Sequence, residues 1–301
     1  MAEALSRVSV GIGRGARPRP EVLGLSVSEP DHLPSRAKDL LLKHAVVNLV
    51  ERVSRRYYLA RLGIIEGWFR EPGLTQFIMI WLPGVDYVPM SVASHWVSGG
   101  RHFIEILFDV RGEGTEALAR SEGSVVGVAG PLGRALEVDP LSGPHLIVAG
   151  GSAIAAVARI AAALANAGSK PTLVWGVRSG ADIGSVPERL GLRDVAELVL
   201  CSEDCSVGFC GRASDAALEL FRSRRWGGVV LAGPRQMLLT LSTEMLREGV
   251  DPIVITESMV KCGTGLCGEC VLPGGVTLCR SGPAFRASEV LNHLRGAGGW
   301  R

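Results

Sequence analysis

The sequence predicts a β barrel followed by an α/β lobe with a doubly wound parallel sheet, and then a cysteine-bearing loop at the carboxyl end. Three observations carry this reading. Between residues 44 and 130, short runs rich in Val, Ile, Leu and aromatics alternate with turn signals such as Pro72-Gly73, Pro83-Gly84 and Gly99-Gly100, the pattern of a small antiparallel barrel. From residue 145, strand-like runs alternate with helical ones, as in parallel strands joined by crossover helices. Four of the seven cysteines then fall between Cys262 and Cys279.

The chain has 301 residues, the length of roughly two ordinary domains. It is 47% hydrophobic and 21% charged, which excludes wholesale disorder. Its 32 Lys and Arg nearly cancel 30 Asp and Glu, and a net charge of +2 does not suggest a nucleic-acid partner. Residues 1–42 are rich in Pro, Arg, Ser and Gly, with a weak helical patch at Arg36–Lys43, and are expected to form a flexible extension. The first twenty residues contain no apolar core, so no secretory signal is expected. The longest apolar stretch, His145 to Leu164, is interrupted by Gly150-Gly151 and Arg159, so no membrane span is expected and the chain reads as cytoplasmic.

Barrel strands are expected at Ala45–Val50, Tyr57–Ile65, Gln76–Leu82, Met90–Ala93, His102–Val110 and Ser124–Ala129, within a domain spanning 43–140. The lobe, 141–255, should hold strands Leu146–Ala149, Thr172–Gly176, Glu197–Cys201 and Gly228–Leu231. Its helices are expected at Ile154–Ala167, Val186–Leu190, Ser214–Arg224 and Arg235–Glu248. Residues 256–301 make the last unit: a glycine-rich loop, then a short helix near Ala287–Leu294.

Cys262, Cys267, Cys270 and Cys279 are spaced C-x4-C-x2-C-x8-C, and the first three match the plant-type spacing for a 2Fe-2S cluster. Gly263, Gly265 and Gly268 can adopt positive φ and bring N–H groups up to the sulfurs. Pro273-Gly274 suits a type II turn that returns Cys279 towards Cys270. A structural zinc is disfavoured by the crowded ligands, and disulfides are disfavoured by a reducing compartment. Cys201, Cys205 and Cys210 have no fourth ligand and read as buried or incidental thiols. No Ser/His/Asp or paired-carboxylate constellation stands out.

The order of Gln76-Phe77, Trp81-x-Pro83-Gly84-Val85-Asp86, Pro89-Met90-Ser91, Gly112-x-Gly114-Thr115, Gly130-Pro131-x-Gly133 and Gly233-Pro234 resembles the ferredoxin reductase family of flavin barrels joined to a nicotinamide-binding lobe. With Glu257-x-Met259-x-x-Cys262 and Cys279-x-x-Gly282-Pro283-x-Phe285, residues 44–286 are similar to the electron-transfer subunits of type B dihydroorotate dehydrogenase. The resemblance implies one FAD and one 2Fe-2S cluster per chain, with NAD as electron acceptor.

By the same resemblance, Pro89, Met90, Ser91 and Val92 would lie against the isoalloxazine. Gly112, Gly114 and Thr115 would donate to the FAD pyrophosphate, and Gly130, Pro131 and Gly133 would sit at the seam between barrel and lobe. Gly150 and Gly151 would form the nucleotide turn, with Gly233, Pro234 and Met237 on the nicotinamide side. The implied partner is an FMN-containing catalytic subunit that oxidises dihydroorotate, in a heterotetramer of two each serving pyrimidine biosynthesis. A diaphorase-like subunit of a hydrogenase or ferredoxin system is the alternative, and a zinc-stapled nucleotide-binding regulator a third reading. Where many relatives carry Arg before the Pro-x-Ser element this chain has Tyr87-Val88, leaving His95, Arg101 and Arg134 as candidate cations for the flavin phosphate. The turn Gly150–Ala156 lacks a glycine and a proline usual in the family, and Leu74-Thr75 is an insertion.

Overall fold

The computed structural model describes residues 35–67 and 69–296, so all of the expected extension except 35–42 lies outside the described residues. Those eight are not loose. Helix α1 (Ser35–Leu40) packs on the barrel, and Asp39 binds the Arg70 guanidinium at 2.8 Å.

Seven antiparallel strands follow where six are expected: β1 (Lys43–Arg52), β2 (Tyr57–Ile64), β3 (Phe77–Leu82), β4 (Asp86–Ser91), β5 (Ser94–Ser98), β6 (Arg101–Asp109) and β7 (Val125–Leu132). Their order is β4-β3-β7-β1-β2-β6-β5, so the edge strands are consecutive in the chain. Only Val92 and Ala93 separate β4 from β5, which forces the two edges together and rolls the sheet. β5 escapes the sequence reading because none of its five residues is buried and no hydrophobic alternation marks it. β4 begins four residues earlier than expected, since only Met90 in it is buried. A further departure is α2 (Glu113–Ala119), where a glycine-marked turn is expected. Gly114 lets this helix lie under β4: a Cβ there would meet Asp86 Oδ2 and Val88 at 2.7 Å.

The lobe runs β8 (His145–Gly150), α3 (Ile154–Asn166), β9 (Thr172–Val177), α4 (Val186–Arg189), α5 (Leu192–Val195) and β10 (Glu197–Ser202). It continues with β11 (Phe209–Cys210), α6 (Ala213–Ser223), β12 (Gly228–Ala232), α7 (Arg235–Arg247) and β13 (Ile253–Ile255). The carboxyl segment adds β14 (Val271–Leu272), β15 (Val276–Thr277), α8 (Leu278–Ser281), β16 (Ala284–Arg286) and α9 (Ala287–Arg295). The sheet order is β11-β10-β9-β8-β12-β13-β16, parallel except for β16 against β13. The chain turns from one side of β8 to the other, so the end of β8 at Gly150 is the switch point where such sheets bind ligands.

One core, around Val47, Leu62, Ile80 and Ile104, belongs to the barrel alone, and the other two span units. On one face of this sheet, Trp175, Ile147 and α3 pack with barrel residues Tyr57, Leu59 and Leu107. On the other, Val148, Leu231 and α7 pack with Phe77, Met79 and Leu132 of the barrel and with Cys270, Cys279 and Phe285. The sequence division at 255/256 falls between the paired strands β13 and β16, and the last helix returns onto α7.

Candidate functional site

The three strand systems converge on two joined cavities. The first, about 260 Å³, lies between β4, the end of β6 and the start of α3, and Pro89, Met90, Ser91 and Thr115 line it. Thr256 supplies a buried hydroxyl in its wall with no hydrogen-bond partner, a polar group ready for a ligand. Met90 is held by its pairing with Ile78, while Val92 turns into the barrel core.

Gly112 and Gly114 do not line this cavity. Gly114 serves the packing of α2, and the Thr115 hydroxyl is taken up locally, accepting from Arg111 N and Gly112 N and donating to Gly112 O. Thr115 shapes the turn rather than offering its proton outward. Gly130 lets β7 approach β3 closely, with Ile78 Cγ2 at 3.0 Å from where a Cβ would sit, and its carbonyl accepts from the Lys43 ammonium. Gly130-Pro131 is a cis peptide. Gly133 meets the carboxyl segment instead of the lobe: a Cβ there would lie 2.4 Å from Gly282 O.

None of the three candidate cations lines the first cavity. His95 stacks on His102 with a ring nitrogen contact of 3.0 Å and lines a separate cleft with Glu71 and Arg159. Arg101 begins β6 at its far turn, and Arg134 lines a cleft beside Cys279. Arg111 and Arg56 lie at the joined cavities instead. Arg111 lines both joined cavities and a third, arginine-rich cleft next to α2, and bridges barrel to lobe through Ser152 Oγ at 3.2 Å. Asp109 sits between them, accepting from Arg56 Nη2 at 2.8 Å and Arg111 Nε at 2.9 Å. Burial opposes its charge, but the two guanidiniums hold its carboxyl below the usual range. The sequence signal was the pair Arg55-Arg56 at a strand start and an Arg directly before Gly112.

The second cavity, about 480 Å³, opens at the switch point, and Gly150, Gly151, Gly233, Pro234 and Met237 all line it. Trp175 Nε1 donates to Gly151 O at 2.9 Å and fixes the turn. No side chain caps the 3-10 turn Gly151–Ala153 that leads into α3, and the first N–H of α3, that of Ile154, donates to Gly151 O and Ser152 O. A Cβ on Gly150 would lie 2.6 Å from Pro234 Cδ, and one on Gly233 2.7 Å from Met237 Cε, so these glycines keep the cavity floor thin. Arg111, Ser152, Ala153 and Glu257 line both cavities. Glu257 is reached by water through the cavities yet ringed by protein, and this desolvation raises its carboxyl pKa against the pull of Arg111.

Behind the first cavity, whose wall includes Val260 and Leu278, lies the cysteine loop. Gly263, Gly265 and Gly268 have φ of 68°, 84° and 75°, and Gly263 rests on Leu132 and Met79 of the barrel. The turn at Pro273-Gly274 closes with Gly275 N to Leu272 O at 3.0 Å and Gly274 at φ 98°, the type II form expected, and Leu278 N donates back to Cys270 O. Cys270 and Cys279 are buried and interact with each other, and Cys262 interacts with Cys267. Burial works against ionising Cys262, but donors from Thr264 and Cys267 bring its thiol down to about 5. Burial and the neighbouring Cys270 push Cys279 up to about 12. Among the described residues no group of three or more His, Cys, Asp or Glu gathers to hold a metal ion. Cys279 interacts with both Cys270 and Cys262, and Cys262 with Cys267, so each thiol meets at least one other, and four thiolates are what a two-iron cluster takes. Cys205 and Cys210, expected as incidental thiols, are joined in a disulfide, while Cys201 is a buried free thiol.

Comparison with known proteins agrees with this arrangement. Residues 257–291 match the iron-sulfur cluster binding domain of dihydroorotate dehydrogenase B. The chain is 35% identical over 225 residues to a probable dihydroorotate dehydrogenase B (NAD(+)) electron transfer subunit of Methanopyrus kandleri, covering 73% of this chain and 80% of the relative. It is 31% identical over 248 residues to the protein of the same description from Archaeoglobus fulgidus, covering 81% and 96%. Among solved structures, an NADH-dependent reduced ferredoxin-NADP oxidoreductase superposes with a TM-score of 0.71 at 27% identity, over 83% of this chain and 92% of that one. The cytochrome b5 reductase domain of Ulva prolifera nitrate reductase shares the fold, with a TM-score of 0.57 at 17% identity over 70% and 94%. With these relatives, a ferredoxin-reductase-like fold and the cysteine loop, the chain belongs to the family of dihydroorotate dehydrogenase B (NAD(+)) electron transfer subunits.

Proposed function

We propose that this chain carries electrons from dihydroorotate oxidation on a partner subunit to NAD+. The observation that carries the reading is continuity: one cavity shares Arg111, Ser152, Ala153 and Glu257 with the nucleotide cavity and Val260 and Leu278 with the cysteine loop. FAD exchanges electron pairs as hydride with a nicotinamide and single electrons with a 2Fe-2S cluster, so a flavin in that position joins the two chemistries.

In this reading Pro89, Met90 and Ser91 support the flavin ring, and Arg111 and Arg56, ordered by Asp109, hold its phosphates. Gly150, Gly151, Gly233, Pro234 and Met237 admit the dinucleotide. Cys262 with Cys267, and Cys270 with Cys279, hold the cluster. The chain divides into a flavin barrel at 43–140, a nucleotide lobe at 141–255 and a cluster unit at 256–301. The partner is an FMN-bearing catalytic subunit in a cytoplasmic heterotetramer of two each. No helix among the described residues is long and apolar enough to cross a membrane.

The test is the visible and EPR spectrum of anaerobically purified chain before and after NADH. Flavin bleaching with a reduced-cluster signal is expected. Zinc in place of iron, or no flavin absorption, overturns the reading. The fit to a ferredoxin-NADP oxidoreductase favours a second reading, a diaphorase half of a ferredoxin system, and co-purification of a dihydroorotate-oxidising FMN subunit decides against it.

A further inference from the structure

We propose that Cys205 and Cys210 form a reversible dithiol–disulfide site that sets the affinity of the nucleotide cavity. This rests on reading that cavity as a nucleotide site. The two sulfurs are bonded across a loop of six residues with Cα atoms 4.3 Å apart, and both cysteines are exposed, so a reductant can reach them. Two residues before Cys205 stands Glu203, two residues after Cys210 stands Arg212, and both line the cavity. The cross-link thus ties the neck of a loop whose two arms are part of the wall.

The backbone reports the same constraint. Cys205 has φ 58°, a left-handed conformation that disfavours a residue with a β-carbon. Just before the loop, the Asp204 carboxylate accepts from Ser206 N and from Gly180 N, and Gly180 N also donates to Ser206 Oγ at 3.0 Å. A Cβ on Gly180 would lie 2.4 Å from Ser206 Oγ, so the loop is seated flush on this turn. The next two residues reach the barrel, with Arg55 N donating to Ala181 O and Arg55 Nε to Asp182. Arg56, the following residue, lines the cavity. The clamp therefore acts on the nucleotide wall at both arms and, through Gly180, at the barrel side.

Reduction breaks the S–S bond and forms two S–H groups. Two electrons and two protons come from a dithiol reductant, which closes to its own disulfide after a mixed-disulfide step. Released, Cys205 can leave its left-handed conformation, and the spacing of Glu203 and Arg212 then rests on the β10–β11 pairing and the bond from Gly211 N to Ser202 O.

The test uses the full chain with its cofactors. NADH affinity is measured by fluorescence titration in the disulfide form, after dithiothreitol, and in Cys205→Ser/Cys210→Ser. Alkylation and mass spectrometry of the segment 203–212 record the thiol state. Reduction is expected to weaken NADH binding by about tenfold, with the double variant matching the reduced form in both conditions. Cys205→Gly/Cys210→Ser, in which glycine takes the left-handed conformation freely, is expected to regain part of the affinity. Equal affinity in all forms, or two free thiols after exposure to oxidised glutathione, overturns the clamp. Absence of NADH binding in every form overturns the nucleotide reading itself.

Discussion

Gly133→Ala tests whether the barrel and the cluster segment are one mechanical unit. Gly133 has φ 80°, and a Cβ there would lie 2.4 Å from Gly282 O and 3.3 Å from Pro283 Cδ. The left-handed conformation alone costs an alanine about 1–2 kcal/mol. The clash falls on backbone, which cannot rotate away, and it forces apart the bond from Arg134 N to Gly282 O, now 2.6 Å, worth about 0.5–1.5 kcal/mol. Together the loss is about 1.5–3.5 kcal/mol. Gly84→Ala is the control: φ is 74°, yet nothing lies within 4 Å of its Cβ position, so only the conformational part is paid. Because Gly282 lies three residues after Cys279, the displacement of Gly133→Ala should reach the cluster first. Urea unfolding of both variants, followed by tryptophan fluorescence and by visible circular dichroism of the cluster, separates the terms. Gly133→Ala as stable as Gly84→Ala, with an unchanged cluster signal, would refute the reasoning.

Three further outcomes follow from the site. Gly150→Ala places a methyl 2.6 Å from Pro234 Cδ and 3.1 Å from Met237 Sδ. It should slow NADH-linked flavin reduction about a hundredfold while leaving the flavin spectrum and its photoreduction intact, as stopped-flow absorbance can show. Cys270→Ser removes a buried member of the second thiol pair. Iron analysis and EPR should show loss of the cluster, with flavin content unchanged. Asp109 has a depressed carboxyl pKa in the fold, so its stabilising contribution is present above the unfolded value of about 3.9 and is lost as pH falls through the folded value. The stability gap between the wild type and Asp109→Asn should therefore narrow as pH falls below about 4, and a constant gap would contradict the assignment.

How much of this was legible beforehand depended on the kind of signal. The lobe was read nearly element by element, because its strands are buried on both faces and its helices carry strong apolar periodicity. Gly150, Gly151, Gly233, Pro234 and Met237 do meet around one cavity, since a close backbone approach demands particular residues locally. β5 and α2 were missed for the opposite reason: one has no fully buried residue, and the other hides behind Gly112 and Gly114. His95, Arg101 and Arg134 were chosen by nearness in the chain, and none of them lines the first cavity. Arg56 and Arg111 meet only through Asp109, across the β2–β6 pairing.

The sequence alone determined the cysteine set, the turn at Pro273-Gly274 and the switch from barrel to parallel sheet. Each depends on spacing or on residues within a few positions of one another. Tertiary structure decided that β16 completes the nucleotide sheet, that Gly133 bears on Gly282, that Arg111 faces three cavities, and that Cys205 and Cys210 are bonded. The first three are contacts between segments remote in sequence, set by how packed faces meet. The last joins near neighbours, but it depends on a left-handed backbone at Cys205 that the residue type itself disfavours.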